Sequence, residues 1–430
     1  MSGFEKAKAS RSRTLKNVLG GVAVIGVSVL FLSACSPTAS TGSSETAAPP
    51  TDDLTLKIGT ALPQTGNLAY LGPPEEAGVQ YAISEINAAT ADTGLTVDLT
   101  LGDSGDTDNK AYETEIPRLL GDGVSAIIGA ASSGTSLKFI DDVVGAGVIQ
   151  FSPANTSDAF TTYDDKGLYF RTAPSDVLQG EVLGNLIAED GNQTLGLIVL
   201  NDSYGTGLAK YVTDSFEAAG GEVVAAPTYN TGDTSFDSQI QEVLAADPDA
   251  IALITFEEVK TILPGLLASF PSDKLYFVDG NLKNFGDELP AGSLTGAKGT
   301  LPGLSIDSLT DFTGALDDFA SSEGLPALKD YSYAAESYDA TVLLALGALA
   351  AGSTDGTDIA GKLQEVSGGS GDGEKCTTYA DCAAIIVGGG TADYDGISGP
   401  ISFDDVGDPQ DASIGIYVYG EDNNYTAYEG

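Results

Sequence analysis

The chain contains no histidine, and that removes much chemistry at once. No imidazole can serve as general base beside a serine or as a zinc ligand. Cysteine is scarce, with only Cys35, Cys376 and Cys382 among 430 residues. One cysteine pair without histidine is half a zinc site, so no metal and no cofactor is expected. Positive charge is short as well: 19 Lys and Arg stand against 62 Asp and Glu. Such a surface repels phosphate backbones and anionic headgroups, which excludes nucleic acid and the bare membrane surface as partners. Long apolar runs are also missing from the body of the chain. Tyr333–Ala351 is rich in Ala and Leu, but Glu336 and Asp339 interrupt it and argue against a membrane span.

The one long apolar run lies near the N-terminus. Lys6, Lys8, Arg11, Arg13 and Lys16 precede Val18–Leu32, which is short for a span and suits a secretory signal. It closes on Leu32-Ser33-Ala34-Cys35, which resembles a bacterial lipobox. That resemblance implies cleavage before Cys35 and lipidation of its thiol. Residues 1–34 then form the signal peptide. Residues 35–53, rich in Ser, Thr, Ala and Pro, form a flexible tether. Without the signal segment, 14 basic residues face 61 acidic ones, a net −47. Outside the cytoplasm, Cys376 and Cys382 are expected to pair as a local disulfide, worth roughly 2–3 kcal/mol.

The rest of the chain is large enough for a bilobed unit. Its pattern centres on Ala126–Asp176. There Ala126–Gly129, Gly147–Phe151 and Leu168–Phe170 are short apolar runs that end in small or hydroxyl residues. Helical stretches separate them, as in a parallel α/β sheet, where ligands sit beyond the carboxyl ends of the strands. Those ends hold Ser132, Ser133 and Thr156, with helix N-termini beside them that favour an anion. A second β/α series follows: strands at Thr194–Leu200, Glu222–Thr228, Ala250–Thr255 and Leu275–Val278, alternating with helices. Two similar series predict two doubly wound lobes. The spacing further predicts strands at Leu54–Leu62, Leu95–Leu101, Ile401–Asp404 and Ile414–Tyr419, and helices over Pro73–Asn87, Phe312–Ser321 and Tyr331–Ala351.

Seven motifs in order then resemble a known family, the type I solute-binding proteins of ABC importers, branched-chain amino acid or amide class. They are Thr65-Gly66, Ser152-Pro-Ala-Asn-Thr156, Arg171–Asp176 with Gln179-Gly180, Asp202-Ser-Tyr204-Gly, Asp247-Pro-Asp249, Asp279-Gly280 and Gly399–Asp404. The resemblance implies α/β architecture, with two Rossmann-like lobes joined by three crossings around a ligand cleft. The first lobe would take 54–172 and 305–398, and the second 173–304 and 399–430. Ser133 (or Ser132) and Thr156, with backbone groups near Ala131 and Ala154, would hold a ligand carboxylate. Asp279 would hold its ammonium. Tyr204 and Phe256 would close the second-lobe side, and Tyr70 or Leu71 the first.

Two tempting motifs lead nowhere. Leu62-Pro-Gln-Thr-Gly66 fits a sortase signal but lacks the apolar and basic tail that must follow it. Ser133 has no histidine and no Gly-x-Ser-x-Gly elbow, so no hydrolase is expected. The expectation is a non-enzymatic, monomeric, lipid-anchored receptor on the extracytoplasmic face. It would pass an amino acid to a membrane permease. An amide or urea as ligand, or a partnership with a signalling protein, are the alternatives.

Overall fold

A computed structural model describes residues 53–428. The signal segment, Cys35 and the tether through Asp52 lie outside them. The first sheet comprises β1 (Leu54–Ala61), β2 (Leu95–Thr100), β3 (Ala126–Gly129), β4 (Ile149–Ser152) and β5 (Tyr169–Arg171), all parallel in the order β2-β1-β3-β4-β5. The second is built from β6 (Thr194–Leu200), β7 (Glu222–Ala225), β8 (Thr228–Tyr229), β9 (Ala250–Ile254), β10 (Leu275–Phe277) and β11 (Lys298–Pro302). A small third sheet holds β12 (Glu374–Cys376), β13 (Ala392–Gly396) and β14 (Gly399–Pro400). Antiparallel β15 (Ile414–Tyr419) and β16 (Tyr425–Ala427) then extend the second sheet beside β11.

Parallel neighbours cannot be joined by tight turns, so helices cross between them and cover both faces. In β6 every residue except Thr194 is buried, as the unbroken run TLGLIVL requires. Each sheet has its own large apolar core. Helix Ala334–Ala351 is long and apolar enough to cross a membrane, but 83% of it is buried, within the first lobe's core. Its Asp339 is kept there by four donors: the Tyr394 hydroxyl at 2.6 Å, the Ile397 N–H at 2.9 Å, and the Ser398 N–H and hydroxyl at 2.7 and 2.6 Å. Those bonds fix the turn between β13 and β14.

Several expectations need correction. Ile401–Asp404 is no strand. It is loop, held by one bridge from Phe403 to Pro409, with the Phe403 ring packed on Phe151 and Phe170. β14 pairs with β13, and Ile401 and Phe403 lie in the first lobe's core, so the third crossing comes after Pro409 rather than after Ser398. Glu222–Thr228 breaks into β7 and β8 around Pro227, which has no N–H for the ladder. β11 lies in a Gly-Thr-Leu-Pro stretch without an obvious strand signal; pairing with β10 and β15 makes it a strand. The Cys376 and Cys382 sulfurs are bonded at 2.04 Å, tying β12 to helix Tyr379–Val387.

Arg171, at the end of β5, is fully buried. Its guanidinium grips Asp408 with a fork, at 2.6 and 2.7 Å, and donates to the carbonyls of Asn155 and Ser157 at 3.3 and 2.8 Å. One side chain thus ties the loop after β4 to the segment that leads into the third crossing.

Candidate functional site

The two lobes meet over a cleft at the carboxyl ends of their strands, where open α/β sheets place ligands. β3 and β4 deliver the first wall. Gly129 ends β3 at φ +124°, and a Cβ there would lie 2.1 Å from the Ala61 carbonyl oxygen, so only glycine permits this close strand ending. The next turn is a single one, Ser133–Ser136, too short for a substantial dipole. What this wall offers is therefore hydroxyls. Ser133 Oγ accepts the N–H groups of Thr156 and Ser157, both at 3.3 Å, which leaves its own hydrogen free to donate outward. Thr156 Oγ1 is buried without a hydrogen bond of good geometry, beside the Asp176 carboxyl. Ser132 Oγ caps the turn by accepting from Thr135 N–H at 3.2 Å. The expected donor at Ala154 is already engaged, since its N–H points to Ser152 Oγ at 3.2 Å.

β9 and β10 deliver the opposite wall. Asp279 follows β10 and is 4% exposed. Its Oδ1 accepts from the Tyr204 hydroxyl at 2.6 Å and Gln179 Nε2 at 3.1 Å, and its Oδ2 from the Tyr333 hydroxyl at 2.8 Å. A carboxylate offers about four acceptor positions. Side chains use three, so one on Oδ2 has no side-chain donor. Burial pushes the Asp279 carboxyl up, and the bonds from Tyr204, Tyr333 and Gln179 pull it back down. Burial also raises Asp176, and the nearby Asp279 raises it further. The Tyr204 and Phe256 rings stack at 5.2 Å. Gly280 makes room for them, because a Cβ there would meet the Phe256 ring at 2.6 Å.

One cavity collects Ala131, Ser132, Ser133, Ala154, Thr156, Tyr204, Phe256 and Asp279. Of the two first-lobe candidates, Leu71 lines it, together with Leu68. Tyr70 does not; it lines a neighbouring cavity and donates its hydroxyl to the Asp279 carbonyl at 3.1 Å. Sequence reasoning assigned no role to Tyr333, Gln179 or Leu68. Gln179 stood inside a quoted motif. Tyr333 had no signal beyond its place ahead of an apolar helix.

The cavity measures about 10 Å³, room for about one water. The lobes are drawn together across it. Asn67 Nδ2 reaches Glu258 at 3.0 Å, the Ser157 hydroxyl reaches the Ser203 carbonyl at 3.1 Å, and the Tyr211 hydroxyl meets Asp158. An amino-acid-sized ligand can enter only when the lobes part. Chemically the site offers hydroxyls for an anion, one acid for a cation, and apolar walls. Among the described residues no group of His, Cys, Asp or Glu is disposed to hold a metal.

The periplasmic binding protein family model matches residues 55–377. The chain is 31% identical over 193 residues to the leucine-, isoleucine-, valine-, threonine- and alanine-binding protein of Pseudomonas aeruginosa, a match that spans 45% of this chain and 51% of that one. It is 22% identical to a chemotactic signal transduction system substrate-binding protein of Halobacterium salinarum, over 80% of this chain and 83% of that one. Among solved structures, a leucine-binding protein from Thermotoga maritima superposes with a TM-score of 0.70 at 20% identity, covering 87% of this chain and all but 2% of that one (98%).

Proposed function

Since this chain belongs to the type I periplasmic binding proteins, branched-chain amino acid class, we propose that it is the lipid-anchored receptor of an ABC importer and captures an amino acid. The observation that supports this is the acceptor position on Asp279 that no side chain fills, in the same cavity as the Ser133 and Thr156 hydroxyls. An ammonium and a carboxylate on one ligand match those two ends. Leu68, Leu71 and Phe256 suit an aliphatic side chain between them. Function then needs no bond chemistry. The open receptor takes the ligand, closure desolvates both charged ends, and the closed surface is what a permease reads.

Thermal unfolding of the protein with leucine, isoleucine, valine, acetamide and urea tests the ligand. A true ligand at 100 times its dissociation constant should stabilise by about 2.7 kcal/mol. Stabilisation by acetamide or urea alone would replace the amino acid with an amide ligand. In the same preparation, Cys35→Ser should move the protein from washed membranes to the wash, and its retention would remove the lipid anchor. A sensing role shares the same cleft, and the name of the Halobacterium relative favours it. Uptake of labelled ligand that survives deletion of this protein, with loss of a taxis response, would select sensing.

A further inference from the structure

The segments that connect the lobes enclose a second cavity, of about 250 Å³. Thr172 and Pro174 line it from the first connection, Leu304 from the second and Ala412 from the third, with Pro400 of β14 and Glu336 between them. The wall is largely apolar, and Glu336 and the exposed Asp411 are its only charged members. Glu336 is 5% exposed. Its backbone carbonyl accepts from the Thr172 hydroxyl at 3.0 Å, but its carboxylate takes no hydrogen bond from another residue among those described. Gly303 crosses directly over it, since a Cβ there would lie 2.4 Å from Oε1.

A buried carboxyl without a partner is costly to ionise. Only its own backbone N–H, in the first turn of the helix, relieves Glu336. Glu75 faces it from helix Gly72–Ala88, Asp339 and Tyr333 from its own helix and cap, Tyr417 from β15, and Asp411 from the third connection. No lysine or arginine among the described residues pairs with it. The missing element is a positive charge small enough for the cavity, attached to an apolar body that suits prolines and leucine. No set of three metal-ligating side chains is present among the described residues, which favours an organic cation over a metal.

We propose that this cavity binds a small organic cation, an ammonium group on a short aliphatic body, through Glu336. All the connections between the lobes shape the cavity, so an occupant stabilises one lobe angle over another. The link to the cleft is short. Tyr333, at the cap of the same helix, donates to Asp279 at 2.8 Å.

Calorimetric titration of the full chain with n-butylammonium chloride, against 1-butanol, tests this. Saturable binding of butylammonium and none of butanol is expected. Burial holds Glu336 up at about 8, so the affinity should be about 100-fold higher at pH 9 than at pH 6, while the ammonium stays charged. Glu336→Gln should weaken binding at least about 10-fold. Ala412→Phe, at an exposed position on the lining, should block the cavity without disturbing the core. Binding should survive Asp279→Asn, which separates this cavity from the cleft. Equal binding by Glu336→Gln, loss in Asp279→Asn, or the absence of saturation in wild type would each overturn the proposal.

Discussion

Asp279→Asn is expected to lower amino-acid affinity by about two to four decades. For an amino-acid ligand in the closed cleft, the ammonium would meet the acceptor position on Asp279 Oδ2 that Tyr204, Gln179 and Tyr333 leave unfilled. Removing the charge leaves that ammonium buried and unpaired, at roughly 3–5 kcal/mol. A neutral amide would lose only a hydrogen bond to a charged group, roughly 1.5–3 kcal/mol. The fold should survive, since asparagine keeps an acceptor for the tyrosine hydroxyls. The wild-type affinity should also fall with pH through the raised carboxyl pKa, because the neutral acid cannot pair with the ammonium. Calorimetric titration at several pH values decides it. Near-normal affinity in the variant would take Asp279 out of the site.

Arg171→Met should cost about 3–5 kcal/mol of stability, the usual result of removing one partner from a buried pair. The loss falls on the Asn155 and Ser157 carbonyls, which lose their donor, and on the Asp408 carboxylate, which keeps only the Thr161 hydroxyl among its side-chain donors. Arg171→Lys keeps the charge but not the fork, and should lie between the two. The loop at stake carries Thr156, so ligand affinity should fall along with stability. Urea titration of the three proteins measures the first effect. A loss under about 1 kcal/mol would mean that packing, not the guanidinium, holds the loop.

What could be read from the residues was whatever depends on local pattern. The run TLGLIVL reveals a strand covered on both faces, and its buried register agrees. Ser133, Thr156 and Asp279 follow apolar strands directly, so the rule that ligands sit beyond strand ends brings them to one cavity. Contacts made by distant segments left no such mark. Tyr333 lies 54 residues from the Asp279 it bonds, and it caps its helix in a left-handed conformation, at φ +61°, that tyrosine seldom adopts. β11 has no strand signal of its own and exists through its neighbours. Ile401-Ser-Phe-Asp alternates like a strand, yet its apolar residues serve the first core from a loop. Leu71 and Tyr70 are adjacent, so a one-residue choice decided which faced the cavity, and periodicity cannot make that choice.

A chain without histidine has to exchange its protons near neutral pH elsewhere. Burial moves that task to carboxyls: Glu336 titrates at about 8 and Asp202 at about 6, against roughly 4 for both in an unfolded chain. At pH 7 the folded protein therefore holds a proton on Glu336 that the unfolded chain gives up. Unfolding acidifies the solution, and stability declines as pH climbs toward about 8, where the fold begins to lose that proton too. The released proton is taken up by whatever buffer is present. The heat absorbed on unfolding at neutral pH thus includes the buffer's own heat of protonation, and scans in phosphate and in Tris should differ by it.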